Sequence, residues 1–197
     1  MVEEQLKPRG ITDQKILAAF LSVPREKFVE KRYQELSYTD SALPAGYKQT
    51  ISQPYVVAKM VQLLQINQED TVLDIGTGSG YQAAILSRLA KQVISVEIVS
   101  QLAAQAQKTF KELGYNNIQV IVGDGKKGYQ TKAPYDGIIA AAVTDAIPLD
   151  WKRQLKINKR IVAPLKDRLG QRLIVLTKKR NGWEKENFDR VIFVPLV

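Results

Sequence analysis

"VLDIGTGSGYQ", residues 72–82, is where the chain declares how it folds. "TVLDI" (71–75) is short and nearly all apolar, the pattern of a strand covered on both faces. Glycines at 76, 78 and 80 follow at once, and "YQAAILSRLA" (81–90) has helical spacing. Strand, glycine turn and helix in that order form the first half of a parallel crossover unit. The glycines let the backbone turn sharply and approach a ligand closely, and the helix after them offers free N–H groups. In open α/β sheets ligands bind at this carboxyl end of the strands. Taken alone, the same glycines also serve as a tight turn with no ligand.

Downstream the alternation continues. "QVISVE" (92–97) is a second strand, and "VSQLAAQAQKTFKELG" (99–114) a helix closed by Gly114. "IQVIV" (118–122), "GIIAAA" (137–142) and "RIVAP" (160–164) extend the series, with a helix near 146–156. The end differs: "RLIVLTKK" (172–179), a turn at Asn181-Gly182 and "RVIFVPL" (190–196) predict a hairpin appended antiparallel to the sheet. Upstream, "ITDQKILAAFLSV" (11–23) predicts a helix started by Thr12 or Asp13, and "YTDSALPAGYKQ" (38–49) a surface loop. No repeat, low-complexity tract or linker interrupts the chain. The expected fold is one α/β domain over 1–197: a mostly parallel sheet core over 71–197, an antiparallel C-terminal hairpin, and an N-terminal helical cover over 1–65.

"QTISQPYVVAKM" (49–60) begins a further helix, with an apolar stripe at Val56, Val57, Met60, Val61 and Leu64. Ser52 has two readings here. Serine is a preferred N-cap residue and proline is welcome in the first turn; alternatively, the hydroxyl is aimed at a ligand.

Composition narrows the chemistry. The 197 residues are 45% hydrophobic and 25% charged, as in an ordinary globular domain, with no apolar run of membrane-span length. The acidic, polar start "MVEEQLKPRG" is not that of a secretory signal, so a cytoplasmic protein is expected. There is no cysteine and no histidine. Disulfides, thiol nucleophiles, zinc sites and histidine-based acid–base catalysis are therefore excluded. No metal is expected. The net charge of +9 is local: residues 1–150 carry 16 basic and 16 acidic side chains, residues 151–190 carry 13 and 4. Such a region can attract nucleic acid. No aromatic-rich RNA-binding signature accompanies it, so a solvated face is the expectation.

Glu97 ends the second strand, 21 residues beyond Gly76, where an acid can accept hydrogen bonds from ribose hydroxyls. Asp124, in "VGDG", ends the third strand and could face an adenine. The spacing G-x-G-x-G places the third glycine one residue earlier than the dinucleotide form, so an adenosine ligand without pyrophosphate fits better. S-adenosylmethionine is the candidate. Asp74 would anchor the loop or contact the methionine amine through water.

The stretches "SALPAGYKQTISQPYVVAKM", "VLDIGTGSGYQAAILSRL", "SVE", "VGDGKKGY", "APYDGIIAAA" and "VIFVPL" occur in one order over roughly 35–197. In this they resemble the protein-L-isoaspartate O-methyltransferases of bacterial type. "TISQP" and "GDG…GY…APYD" are more specific than the glycine loop. The resemblance implies a Rossmann-like methyltransferase fold, S-adenosylmethionine as methyl donor with S-adenosylhomocysteine as product, and the abnormal isoaspartyl carboxylate of damaged proteins as acceptor. It places Ser52 at the active-site hydroxyl position. The residues expected around the cofactor are Ser52, Gln53, Asp74, Gly76, Thr77, Gly78, Ser79, Gly80, Glu97, Ile98, Asp124 and Gly125. Isoaspartyl peptides and proteins are the expected partners of a monomer, without membrane or nucleic acid.

Three departures bear on substrate. Asn158-Lys159 replaces a Gly-Gly pair, which Asn tolerates because it accepts left-handed backbone angles. Val143-Thr144-Asp145 replaces a more proline-rich loop on the acceptor side. The sequence stops at Val197, so contacts from a longer tail are not expected. Relatives methylating another peptide or a small acid, and a nucleic-acid-binding methyltransferase, remain alternatives. The chemistry itself suits a chain without histidine: a carboxylate is already ionised at neutral pH and needs alignment rather than a base.

Overall fold

Asp13 starts the first full helix. Its carboxylate accepts from the backbone N–H groups of Lys15 and Ile16, and α1 (Gln14–Ser22) follows, burying Ile16, Leu17, Ala19 and Phe20. The computed structural model describes residues 1–197. Short helical turns at Val2–Leu6, Lys7–Arg9, Arg25–Phe28 and Lys31–Leu36 precede and follow α1 in the chain. The stretch expected as surface loop is partly ordered: β1 (Leu43–Pro44) pairs antiparallel with β2 (Thr50–Ile51), and Leu43 and Ile51 are buried. Burying two apolar side chains is what holds this ribbon against the core.

In α2 (Pro54–Leu64), Gln53 rather than Ser52 takes the N-cap position, with no side-chain cap bond. The cap reading of Ser52 is thereby corrected. Pro54, with its fixed φ and no N–H to satisfy, begins the helix one residue later than a serine cap requires. Gln65, in the left-handed region at φ 54°, closes it.

The crossover series follows as β3 (Thr71–Ile75), α3 (Tyr81–Ser87), β4 (Gln92–Glu97), α4 (Ser100–Glu112), β5 (Ile118–Val122) and β6 (Tyr135–Ala140). Then come α5 (Leu149–Gln154), β7 (Leu155–Asp167), β8 (Gly170–Lys179) and β9 (Gly182–Arg190). Seven strands form one sheet in the order β5-β4-β3-β6-β7-β8-β9. β5, β4, β3, β6 and β7 run parallel, while β8 and β9 are antiparallel to their neighbours. This is the expected Rossmann-like arrangement, with an antiparallel end.

Adjacent residues on the central strands go to opposite faces, as strand geometry requires. Val72, Val93, Ile139 and Val162 join a large cluster under the N-terminal segment and α1–α4. Leu73, Ile94, Ile138 and Ile161 join a smaller one under α5. Being covered twice is why these strands read as unbroken apolar runs.

The C-terminal hairpin differs from expectation. Its second strand is β9, "GWEKENFDR", not "RVIFVPL", and Lys179 pairs with Gly182, so the turn residues are Arg180 and Asn181. β9 is charged and exposed, as an edge strand can be. That polarity concealed it, and the apolar 191–196 drew the strand reading instead. Residues 194–196 turn back along the loop after β6: Val143 N–H donates to Val194 O (2.9 Å) and Leu196 N–H to Val143 O (2.8 Å).

Asn158 sits at φ 62°, the left-handed angle expected where a glycine pair was replaced. Lys159 beside it adds something a glycine lacks. Its Nζ lies 2.9 Å from Asp70 Oδ1 and 3.5 Å from Asp136 Oδ1, and Lys156 Nζ lies 2.8 Å from Asp136 Oδ2. Burial pushes Asp136 upward, but bonds from Lys156 and Thr71 and the charge of both lysines outweigh it, holding the carboxyl below its ordinary range. Much of the remaining basic excess is paired too, as in Lys166–Asp145, Arg190–Asp167 and Lys179–Glu184. No helix is long and apolar enough to cross a membrane.

Candidate active site

The glycine loop leaves the carboxyl end of β3 with Gly76, Gly78 and Gly80 at φ 87°, 51° and 92°. At Gly80 no other residue fits, since a Cβ there would lie 2.7 Å from Cζ of Phe110 on α4. The loop is tied to β4, because Gly76 and Thr77 N–H both donate to Val96 O.

Below the loop, Asp74 is completely buried. It accepts from Gln82 Nε2 and from Ser95 Oγ, each at 2.7 Å, and Ser95 Oγ also meets Thr77 Oγ1 at 2.6 Å. Burial pushes the Asp74 carboxyl up to about 6 against the lowering effect of these two bonds, with the nearby Glu97 charge adding to the rise. Asp74 does not face the cleft. It anchors β3 to β4 and α3 under the loop.

Glu97 is buried at the end of β4, with Oε2 accepting from Gly78 N–H (2.8 Å) and Oε1 from Val99 N–H (2.9 Å). Each oxygen retains a lone pair. Across the floor, Gly125 has no room for a side chain: a Cβ would lie 2.7 Å from Ile75 Cγ2. Trp151 of α5 holds it there by donating its indole N–H to Gly125 O at 2.7 Å. Gln154, one turn on, secures the next residues through Lys127 O and Tyr129 N–H.

On the opposite side lies Ser52. Its carbonyl accepts from Arg25 Nη2 at 2.9 Å, while Arg25 Nε donates to Ser37 O at 2.7 Å. The guanidinium is fully buried and lies 4.6 Å from the centre of the Tyr81 ring, the first residue of α3. Burial lowers the Arg25 pKa and raises that of Tyr81 above its ordinary value. Arg25 Nη1 and the Tyr81 hydroxyl are both buried without a well-formed hydrogen bond.

These pieces enclose a cleft of about 760 Å³, part of it open to solvent. Ser52, Gly76, Thr77, Gly78, Ser79, Glu97, Ile98 and Gly125 line it together, drawn from four separate segments. Gln53, Asp74, Gly80 and Asp124 stand outside the lining. Gln53 is turned to Asp40 (2.8 Å), and Asp124 caps a short turn through Lys126 N–H (2.8 Å). Sequence reading did not pick out Tyr81 and Gln82 on the first turn of α3, Gln49 to Ile51, or the wall at 194–197. All three overlap stretches noted in the sequence, "VLDIGTGSGYQAAILSRL", "SALPAGYKQTISQPYVVAKM" and "VIFVPL", but nothing local marks which of their residues face the cleft. Arg25 and Trp151 carried no signal, because neither touches the cleft. A second groove, of about 820 Å³ and open to solvent, shares Thr50 and Ser52 with the cleft and runs past Gln53, Val56 and 190–193.

The cleft offers two acceptor oxygens at Glu97, apolar walls at Val96 and Leu196, and a glycine floor that admits close approach. Comparison with known proteins agrees with this. The family model for Protein-L-isoaspartate(D-aspartate) O-methyltransferase matches residues 1–197. A protein-L-isoaspartate O-methyltransferase of Herpetosiphon aurantiacus is 46% identical over 197 residues, covering 100% of this chain and 88% of the relative. A solved protein-L-isoaspartate O-methyltransferase is 31% identical with a TM-score of 0.90, covering 99% of this chain and 65% of that one. A Plasmodium falciparum chain solved in complex with S-adenosyl-L-homocysteine shares the fold, with a TM-score of 0.84 at 24% identity, covering 100% of this chain and 96% of that one. With its whole length matched and its glycine loop, Ser52 and C-terminal wall meeting at one cleft, the chain belongs to the protein-L-isoaspartate O-methyltransferase family.

Proposed function

We propose that the protein transfers a methyl group from S-adenosylmethionine to the free carboxylate of L-isoaspartyl residues in damaged proteins, initiating their repair. The observation that carries this is the meeting of Ser52 with the glycine loop across one cleft. S-adenosylmethionine supplies a methyl group on a sulfonium, already activated for attack. The protein's task is alignment, which can supply several kcal/mol of the barrier.

In this reading the 76–80 loop, Ile98 and Gly125 surround the adenosine, and Glu97 accepts from ribose hydroxyls with the lone pairs its own loop leaves free. Asp124 and Gln53 act at the margin, and Asp74 acts through the loop. Ser52 Oγ donates to one oxygen of the acceptor carboxylate and leaves the other directed at the methyl. No proton has to be removed, which is why a site without histidine suffices. Residues 1–65 form the acceptor-side cover of a single domain. The open groove that shares Ser52 leaves room for polypeptide on either side of the acceptor, which favours a protein substrate over a small acid.

Labelled methyl transfer to an isoaspartyl peptide and to its aspartyl twin tests the reading. Label is expected on the isoaspartyl peptide alone, unchanged by added RNA. Equal labelling of both peptides, or of neither, overturns it.

A further inference from the structure

We propose that Ile192 selects acceptor polypeptides that carry an apolar side chain beside the isoaspartyl residue. The proposal rests on the isoaspartyl reading of the cleft and extends it to what flanks the acceptor.

A lone exposed isoleucine needs no explanation, because folded proteins leave much apolar surface in water. Ile192 is 95% exposed, yet it does not stand alone. It lines the open groove that shares Thr50 and Ser52 with the cleft, in company with Ala42, Val56, Val191 and Phe193. A groove with this much apolar surface beside Ser52 gains free energy when an apolar side chain settles in it.

The segment that carries Ile192 is fixed before any polypeptide arrives. Val191 N–H donates to Gln171 O (3.2 Å), Phe193 N–H donates to Gln171 Oε1 (2.7 Å), and Phe193 O accepts from Gln171 Nε2 (3.1 Å). Phe193 is buried and anchors the chain, while Ile192, between the two clamped residues, is left outside. A β-branched side chain on a backbone held this way has little freedom left to lose on contact.

The polar members of the groove are already engaged. Gln53 Nε2 donates to Asp40 Oδ1 (2.8 Å), and Arg190 Nη1 donates to Asp167 Oδ1 (2.7 Å). A charged flanking residue would give up water on entering and find no free charge to pair with. A leucine there meets Ile192 and Val56 instead. The backbone groups on offer do not discriminate. Ile192 N–H and C=O make no backbone bond within the protein. Ala45 N–H donates to Gln49 O, and by the alternation of an antiparallel ladder Thr50 then turns its own N–H and C=O away from β1. Such groups suit any extended polypeptide, so the choice between sequences falls to the Ile192 side chain.

The test uses short isoaspartyl peptides that differ only in carrying Leu, Ser or Glu immediately before or immediately after the isoaspartyl residue. With saturating S-adenosylmethionine, Leu at one of the two positions should lower KM relative to Ser by about three- to tenfold, and Glu should raise it. Ile192 is a single contact, so the other position should show no such order. Ile192→Ser should abolish the difference between Leu and Ser, and Ile192→Lys should reverse the order of Leu and Glu. S-adenosylhomocysteine affinity, measured by calorimetry, should match the parent in both variants, since Ile192 lines the groove and not the cleft. Equal KM for Leu and Ser at both positions overturns the inference, as does a Leu preference that survives in both variants. A parent enzyme that prefers Glu to Leu overturns it too, because Arg190 would then set the choice. Failure to methylate any isoaspartyl peptide brings down the functional reading of the cleft, and this inference with it.

Discussion

At Ser52 the structure separates two roles that serine chemistry allows equally. The hydroxyl caps nothing, because Gln53 is the N-cap, and Ser52 is held instead through its carbonyl by Arg25. Ser52→Ala should therefore leave stability within about 0.5 kcal/mol of the parent. Turnover of an isoaspartyl peptide should nonetheless fall by well over about tenfold, with little change in S-adenosylhomocysteine affinity. Ser52→Thr should keep part of the activity; full turnover by a folded Ser52→Ala protein would remove the hydroxyl from the mechanism. Arg25 belongs to the same argument as a positioning residue. It connects Ser37, Ser52 and the ring of Tyr81, so it sets the acceptor side against the glycine-loop helix. Arg25→Met should lower kcat by more than about tenfold with cofactor affinity nearly unchanged. In a Ser52→Ala background it should add little, since its effect runs through the hydroxyl. Additive losses in that double variant would show a general structural role instead.

Among the elements, the glycine loop depends on the layer beneath it. Asp74 joins β3 to β4 and α3 at the cost of a buried carboxylate. Its folded pKa, about 6, is raised from 3.8, so the folded state binds this proton first and the group becomes more favourable as pH falls from about 7 toward 4. Asp74→Asn abolishes that titration. Denaturant unfolding should show wild type gaining on Asp74→Asn by about 2–3 kcal/mol over this interval. A difference that stays flat with pH would mean that Asp74 is already protonated at neutrality or is not desolvated.

Over the whole molecule, Lys159 ties the start of β3 to β6 and β7 at the end of the sheet remote from the cleft. Lys159→Ala would leave the buried Asp70 carboxylate without its cation and should cost about 2 kcal/mol. The Asp136 carboxyl is held below its ordinary range, so its stabilisation is present above about pH 4 and is lost as pH falls through the depressed value. Removing Lys159 should shrink that acid-side loss, and cofactor binding at the opposite end of the sheet should not change. Thermal melts with and without S-adenosylhomocysteine check both.

The sequence by itself determined the crossover series, the glycine loop and the acid at the end of β4, because period, glycine placement and spacing are local properties. The family was legible for the same reason, in motifs of three to twenty residues. Asn158 was also read correctly, since left-handed tolerance belongs to the residue type. Only the tertiary structure decided that β9 is the charged segment 182–190 and that the apolar 191–196 forms a cleft wall. Edge strands can be polar and walls must be apolar, so hydrophobicity pointed the wrong way. It also decided that Asp74 supports rather than faces the cleft, and that Arg25 and Trp151 hold residues 27 and 26 positions away. Those roles arise from contacts across the chain, which no local pattern encodes.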